Sequence, residues 1–283
     1  MSAPSSRAAI LAAALLWSTG GAAIKSAALG APAIAGGRAL FAAIALFALL
    51  PAARARPTPP ILKTAIAYAL TCSLFVFANT LTTAGSAIFI QNTAPIWVLL
   101  AAPRIYGERP SRPELYSLPF ALLGCALFFA GDLGQGRVAG DLCALGASLT
   151  YATLIMRYRH TTTEESLSAT VLGNLIIVGV MLPLALDGPV PAARDLGILL
   201  YLGVVQQAVA AVLFVRGVRG VSALEGSLLV LLEPLASPVW AFILVGERLG
   251  PLAILGAAVV LAATAWRTWA ARASEASTAA APQ

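Results

Sequence analysis

Between Lys63 and Arg104 the chain runs for forty residues, Thr64 to Pro103, without one charged side chain. A helix of about 20 residues is enough to cross the hydrocarbon core of a bilayer. The stretch therefore reads as two membrane spans back to back, broken at Thr82-Thr83-Ala84-Gly85-Ser86. The whole chain follows suit, with 59% of its 283 residues hydrophobic and 11% charged, against roughly 25% charged in a soluble domain.

Other apolar runs lie on both sides of this pair. Before it come Ala8 to Ile24, ended by Lys25, and Ala33 to Ala52, with Arg38 in its first turns. Leu115 to Gly131 follows as a fifth run. After the glycine-rich connection Asp132 to Asp141 come Leu142 to Met156, Ser166 to Leu186, Leu196 to Val215, Ser222 to Val245 and Leu249 to Trp266. Arg7 ahead of an apolar core fits a signal peptide locally, but many equal spans follow with no soluble domain. The expected fold is an all-α integral membrane protein with ten transmembrane helices. Its organisation is a short lead at 1–7, a five-helix repeat at 8–131, the connection 132–141, a second five-helix repeat at 142–268 and a disordered tail at 269–283. Ser111-x-x-Glu114, Thr162-x-x-Glu165 and Ser222-x-x-Glu225 each fit a capping box at a helix start.

A duplicated block supports the division into halves. Pro95 stands twelve residues before Gly107-Glu108-Arg109, and Pro234 twelve before Gly246-Glu247-Arg248. A second register pairs Pro95-x-Trp97 with Pro238-x-Trp240. In both copies the prolines and the glycine serve as candidate helix breaks or gate anchors: Pro95, Pro234, Gly107 and Gly246. With the N-terminus inside, thirteen basic residues fall in inner connections and five (Lys25, Arg38, Arg137, Arg194, Arg248) on the outer side. That bias places both termini in the cytoplasm. Five helices per repeat is an odd number, so the second repeat is expected to be inverted relative to the first.

Inverted repeats are a transporter arrangement. The two Pro…Gly-Glu-Arg blocks, Leu16-Trp17-Ser18 with Lys25, and Arg38 in the second helix resemble the drug/metabolite transporter superfamily, in its EamA-type ten-helix branch, over about residues 8 to 268. Within it the chain is most similar to YddG-type amino-acid exporters. One departure is the stretch from Glu108 to Gly124, 16 residues against the 9 from Glu247 to Gly256. The resemblance implies export of amino acids, aromatic or bulky neutral ones among them, across a bacterial inner membrane by alternating access. A broad drug or metabolite exporter is the alternative.

Polar side chains on a span are costly unless they meet a partner or a watery cavity, so they are the binding candidates. These are Thr19 beside Trp17; Asn79; the pairs Gln91-Asn92 and Gln206-Gln207; and Tyr151. Two adjacent amides cannot share one helix face, so one of each pair needs another environment. Single Ser and Thr residues commonly serve helix–helix hydrogen bonding instead. Trp17 and Trp97 lie mid-span, where no interfacial belt exists, whereas Trp240 is near an end. Trp17, Asn79 and Trp97 are expected to line a central cavity, with Trp97 stacking on substrate. Glu233, the one acid near mid-span, fits a proton carrier, an ammonium-binding group or a neutral hydrogen-bonded group.

Few fixed charges disfavour polyanionic cargo and suit a zwitterion or neutral solute. Cys72, Cys125 and Cys143 lack metal or disulfide spacing, and His160 is the only histidine. No metal, cofactor or nucleic acid is expected, nor an enzyme's nucleophile–base pair. The expected partners are a small-molecule substrate and the lipid bilayer, with the monomer as the working unit. A mere scaffold would leave the mid-membrane polar groups unexplained.

Overall fold

The computed structural model describes residues 3–82, 84–128, 130, 138–236, 240 and 250–279. Among the described residues every regular element is helical. α1 (Ala3–Ser18) and α2 (Gly20–Ser26) make the first span, stepped at Thr19, whose hydroxyl donates back to the Leu16 carbonyl at 2.7 Å. α3 (Ala31–Leu49) is the second and α4 (Pro59–Leu81) the third. α5 (Ala84–Gln91) and α6 (Ala94–Tyr106) make the fourth, and α7 (Arg112–Phe128) the fifth. The second half opens with α8 (Val138–His160) and α9 (Thr163–Leu184). The eighth span is α10 (Ala193–Leu200), a π-helix (Tyr201–Val209) and α11 (Ala210–Val218). α12 (Ala223–Val230) begins the ninth, and α13 (Pro251–Ala279) is the tenth.

Seven of these segments are long and apolar enough to cross a membrane as described. α7 has 17 residues, the ninth span lies partly outside the described residues, and the apolar part of α13 is Ile254–Arg267. Two boundaries differ from expectation. The fourth span breaks again at Asn92-Thr93, in the two residues before Ala94-Pro95, where the ring of proline leaves no N–H for the preceding turn. The tenth helix continues to Ala279, through the alanine-rich stretch expected to be disordered.

Capping fixes several helix starts. Thr162 and Glu165 form a complete capping box. Ser111 and Glu114 do the same, with Ser111 N donating to Glu114 Oε2 at 2.6 Å. Ser222 makes only half of one: its Oγ accepts from Glu225 N at 2.9 Å. The Glu225 carboxylate is drawn instead to two buried cations, Arg7 and Arg267, each at 2.8 Å. Gly107 ends α6 with φ +69°, a left-handed cap that suits glycine.

The halves pack as a pseudo-symmetric pair. The fifth span packs on the tenth, the second on the seventh and the fourth on the ninth. The third packs on the sixth and seventh as the eighth does on the first and second. Exchanging each span for the one five places on maps these pairings onto one another. Side chains obey the same rule. Trp97 Nε1 on the fourth span donates to Ser148 Oγ on the sixth at 3.1 Å, and Trp240 Nε1 on the ninth donates to Ser18 Oγ on the first at 2.9 Å. This match supports the register that aligns Trp97 with Trp240. Gly124 meets Gly256 where the fifth and tenth spans cross: a Cβ on Gly124 would lie 2.8 Å from the Gly256 carbonyl oxygen. Those two glycines are equivalent despite the longer connection before Gly124.

The interior is built from small residues, which let membrane helices approach closely; Ala13, Ala39, Ala42, Ala65, Ala78 and Ala144 are fully buried. Large apolar side chains point outward in helical stripes, such as Leu62, Ile66 and Leu70 on α4 and Tyr116, Phe120 and Leu123 on α7. In water such stripes would drive aggregation, but in hydrocarbon they are already solvated.

Candidate functional site

A cavity of about 90 Å3 lies between the halves, lined from seven spans. The first contributes Trp17, the second Arg38, the fourth Gln91 and the ninth Glu233. The third contributes Tyr68, Thr71, Cys72 and Phe75; the sixth Tyr151, Leu154 and Tyr158; the eighth Gln206, Gln207, Ala211 and Phe214. On each of these three helices the lining residues recur at three- and four-residue steps, which is one helical face.

One wall is aromatic. The Trp17 ring stands 5.1 Å from Phe214 and 6.4 Å from Tyr151, tilted and edge-on respectively. Such offset contacts fix ring orientation. The opposite chemistry is a buried amide cluster. Gln207 Nε2 donates to Tyr68 Oη and to Asn174 Oδ1, both at 2.7 Å, and Asn174 Nδ2 donates to Tyr68 Oη at 3.3 Å. Two buried polar atoms of the lining, Gln207 Oε1 and Tyr151 Oη, have no hydrogen-bond partner among the described residues. Both belong to lining residues, and an unmet donor or acceptor there is free for a solute or water. Arg38 is only 4% exposed, and its Nη2 donates to the Cys72 carbonyl at 3.4 Å.

Both Gln206 and Gln207 reach the cavity, as adjacent Thr71 and Cys72 do on α4, and the π-helix eases this for the glutamines. Its i→i+5 bonding widens the turn and brings successive residues closer in angle than an α-helix does. The expectation that this pair divides between environments is corrected accordingly. The other pair does divide: Gln91 lines the cavity, while buried Asn92 donates to its own helix at the Ile88 carbonyl, 2.8 Å away.

Besides Asn92, four expected residues lie elsewhere. Asn79 Nδ2 donates to the Phe75 carbonyl at 2.9 Å and is not among the lining residues. Trp97 is likewise outside the lining, its indole N–H held by Ser148. Trp240, too, binds the serine of a neighbouring span and does not line the cavity. Thr19 joins Tyr201 Oη at 2.8 Å beside the cavity. Pro95 and Pro234 are buried in the helical segments that follow the turns at Asn92-Thr93 and Leu231. Gly246 lies outside the described residues. The lining residues not singled out as binding candidates from sequence are Arg38, the face of the third span, Leu154 and Tyr158 of the sixth, and Ala211 and Phe214 of the eighth.

At the end of the bundle that gathers most basic residues, carboxylates tie the halves together. Glu108 accepts from Ala223 N at 3.0 Å and faces His160 at 2.9 Å and Arg159 at 3.5 Å. Ser222 Oγ donates to Glu114, and Arg7 pairs with Glu225. At the other end Ala28 N donates to Asp195 and Thr82 Oγ1 to Asp141, at 3.0 and 2.8 Å.

This architecture has relatives. The EamA-like transporter family matches the chain twice, over residues 6–130 and 138–268, once per half. An uncharacterized transporter of Bacillus subtilis, YwfM, is 33% identical over 192 residues, which is 66% of this chain and 62% of that protein. The chain thus spans less than two thirds of that relative's length. An uncharacterized transporter of Archaeoglobus fulgidus is 27% identical over 217 residues, 75% of this chain and 78% of that one. A solved crystal structure shares the fold with a TM-score of 0.81 at 17% identity, covering 96% of this chain and 99% of that one. The double match, aligned with the two symmetric halves, makes the chain a multi-pass membrane protein of the EamA-like transporter family.

Proposed function

We propose that this transporter exports amino acids, aromatic or bulky neutral ones included, by alternating access around the cavity between its halves. The observation that carries the reading is the cavity's lining: an aromatic wall (Trp17, Tyr151, Phe214) faces an amide with unmet bonding capacity, and among the described lining residues there is one cation, Arg38, and one acid, Glu233. Such a lining suits a small solute with an apolar side chain and a few polar groups, and it has no cluster of cations for polyphosphate. The cavity closes within one chain, which favours a monomer as the working unit. The basic end is the proposed cytoplasmic face of a bacterial inner membrane, with both termini on that side. Fusion tags at Ser2 and Pro282 reporting from opposite faces would reverse this.

The test is purified protein in liposomes loaded with a panel of labelled amino acids, with and without a pH gradient. Saturable efflux of bulky neutral members is the expected result, and flux of none of them moves the assignment to metabolite or drug export. Glu233→Gln settles the coupling question in the same assay. Flux that persists but no longer responds to the gradient identifies Glu233 as the proton carrier, and an unchanged response leaves it a packing group.

A further inference from the structure

Arg38 stands out among the lining residues. It sits two turns into a membrane span, where a charge is expensive without a partner. It is 4% exposed, and no carboxylate pairs with it among the described residues. Its one hydrogen bond, to the Cys72 carbonyl, is 3.4 Å long, beyond the usual 2.7–3.2 Å for an N–H donor. A guanidinium carries five N–H donors, so most of its capacity is unspent on protein. Nor can the residue withdraw from the cavity. The Arg38 carbonyl oxygen is pressed against Gly203 of the π-helix, where even a Cβ would come within 2.5 Å.

We propose that Arg38 is the anchor for a carboxylate on the transported solute. The planar fork of the guanidinium matches a carboxylate in two parallel bonds, and the incoming anion supplies the counter-charge that the buried cation lacks. The solute's apolar part then meets Trp17, Tyr151 and Phe214 in the same cavity. The class is therefore a small monocarboxylate or zwitterion, and amines, amides and neutral drugs are excluded from productive binding. This rests on the reading that the cavity holds the transported solute.

The experiment measures binding to the full purified chain with matched probes: L-phenylalanine, L-leucine and 3-phenylpropionate, each against its amide. Quenching of tryptophan fluorescence, to which Trp17 contributes from the cavity wall, and thermal shift give independent affinities. In the wild type the acids bind at least about tenfold more tightly than the amides. Arg38→Met brings that ratio to about one, and Arg38→Lys keeps the preference at lower affinity. Should Arg38→Met fail to fold, the wild-type ratio and Arg38→Lys decide. Equal binding of acid and amide overturns the proposal, as does a preference that survives in Arg38→Met, or binding by none of the acids. The two readings fail separately. Binding of 3-phenylpropionate through Arg38 with no amino-acid flux sinks amino-acid export alone, whereas amino-acid flux with no discrimination against amides sinks the anchor alone.

Discussion

Gly203 has no room for a side chain. A Cβ there would stand 2.5 Å from both the Arg38 carbonyl oxygen and Phe41 Cβ, backbone-level atoms that cannot swing aside. Gly203→Ala must push the second and eighth spans apart, at a cost of about 1–3 kcal/mol. The expected readout is a lower Tm in detergent together with weaker solute binding, because Arg38 rides on the displaced backbone. An unchanged Tm would show that the spans are looser than drawn. The amide cluster makes a second residue-level prediction. Asn174 is fully buried and both accepts from Gln207 and donates to Tyr68. Asn174→Leu strips one partner from each and costs about 1–3 kcal/mol, because their remaining polar atoms stay out of water. Thermal unfolding of the purified protein measures it, and a variant as stable as the wild type would mean that water replaces the amide.

At the scale of elements, the π-helix is the decisive departure from a plain bundle. It carries Gln206 and Gln207 into one cavity with a smaller angle between them than an α-helix gives. Deleting Val204 returns the segment to i→i+4 bonding and turns one glutamine away. Membrane yield is expected to hold, since the span remains long and apolar, while transport falls at least about tenfold. Equal transport would mean that only one of the two amides matters. The spans themselves, the halves and three helix starts were readable in the sequence because charge-free runs and capping residues are local signals. The lining faces were only half readable. Tyr68, Thr71, Cys72 and Phe75 recur at steps of three, one and three, a clear helical stripe. On a soluble helix that stripe would stand against a polar face and declare itself buried. Here every face is apolar, and the pattern does not say which stripe meets lipid and which meets the cavity. Mid-span position did not reveal the partner of Trp97, and nearness to an end did not reveal that of Trp240: the serines that hold their indoles lie on spans distant in sequence.

For the whole molecule, the pseudo-symmetric halves define two ends and therefore two possible openings. The basic end is bridged by carboxylates of the first half, Glu108 and Glu114, which bind the start of the ninth span at Ala223 and Ser222. Glu108 also faces Arg159 and His160 of the sixth span. Hydrogen bonds to charged groups contribute about 1.5–3 kcal/mol each. Alternating access requires that they break when this end opens, so removing them biases the equilibrium toward that state by their full differential contribution. Cys72 lines the cavity and serves as a built-in reporter. In a background of Cys125→Ala and Cys143→Ala, a membrane-impermeant maleimide added on the basic side labels Cys72 slowly while the ties hold. Glu108→Gln combined with Glu114→Gln is expected to raise that rate about tenfold or more, with a matching fall in labelling from the opposite side. Glu225 is left intact, because its loss would strand two buried arginines and confound opening with unfolding. Rates that rise equally on both sides would indicate a loosened bundle, and rates that do not change would show that these carboxylates cap helices without holding the gate.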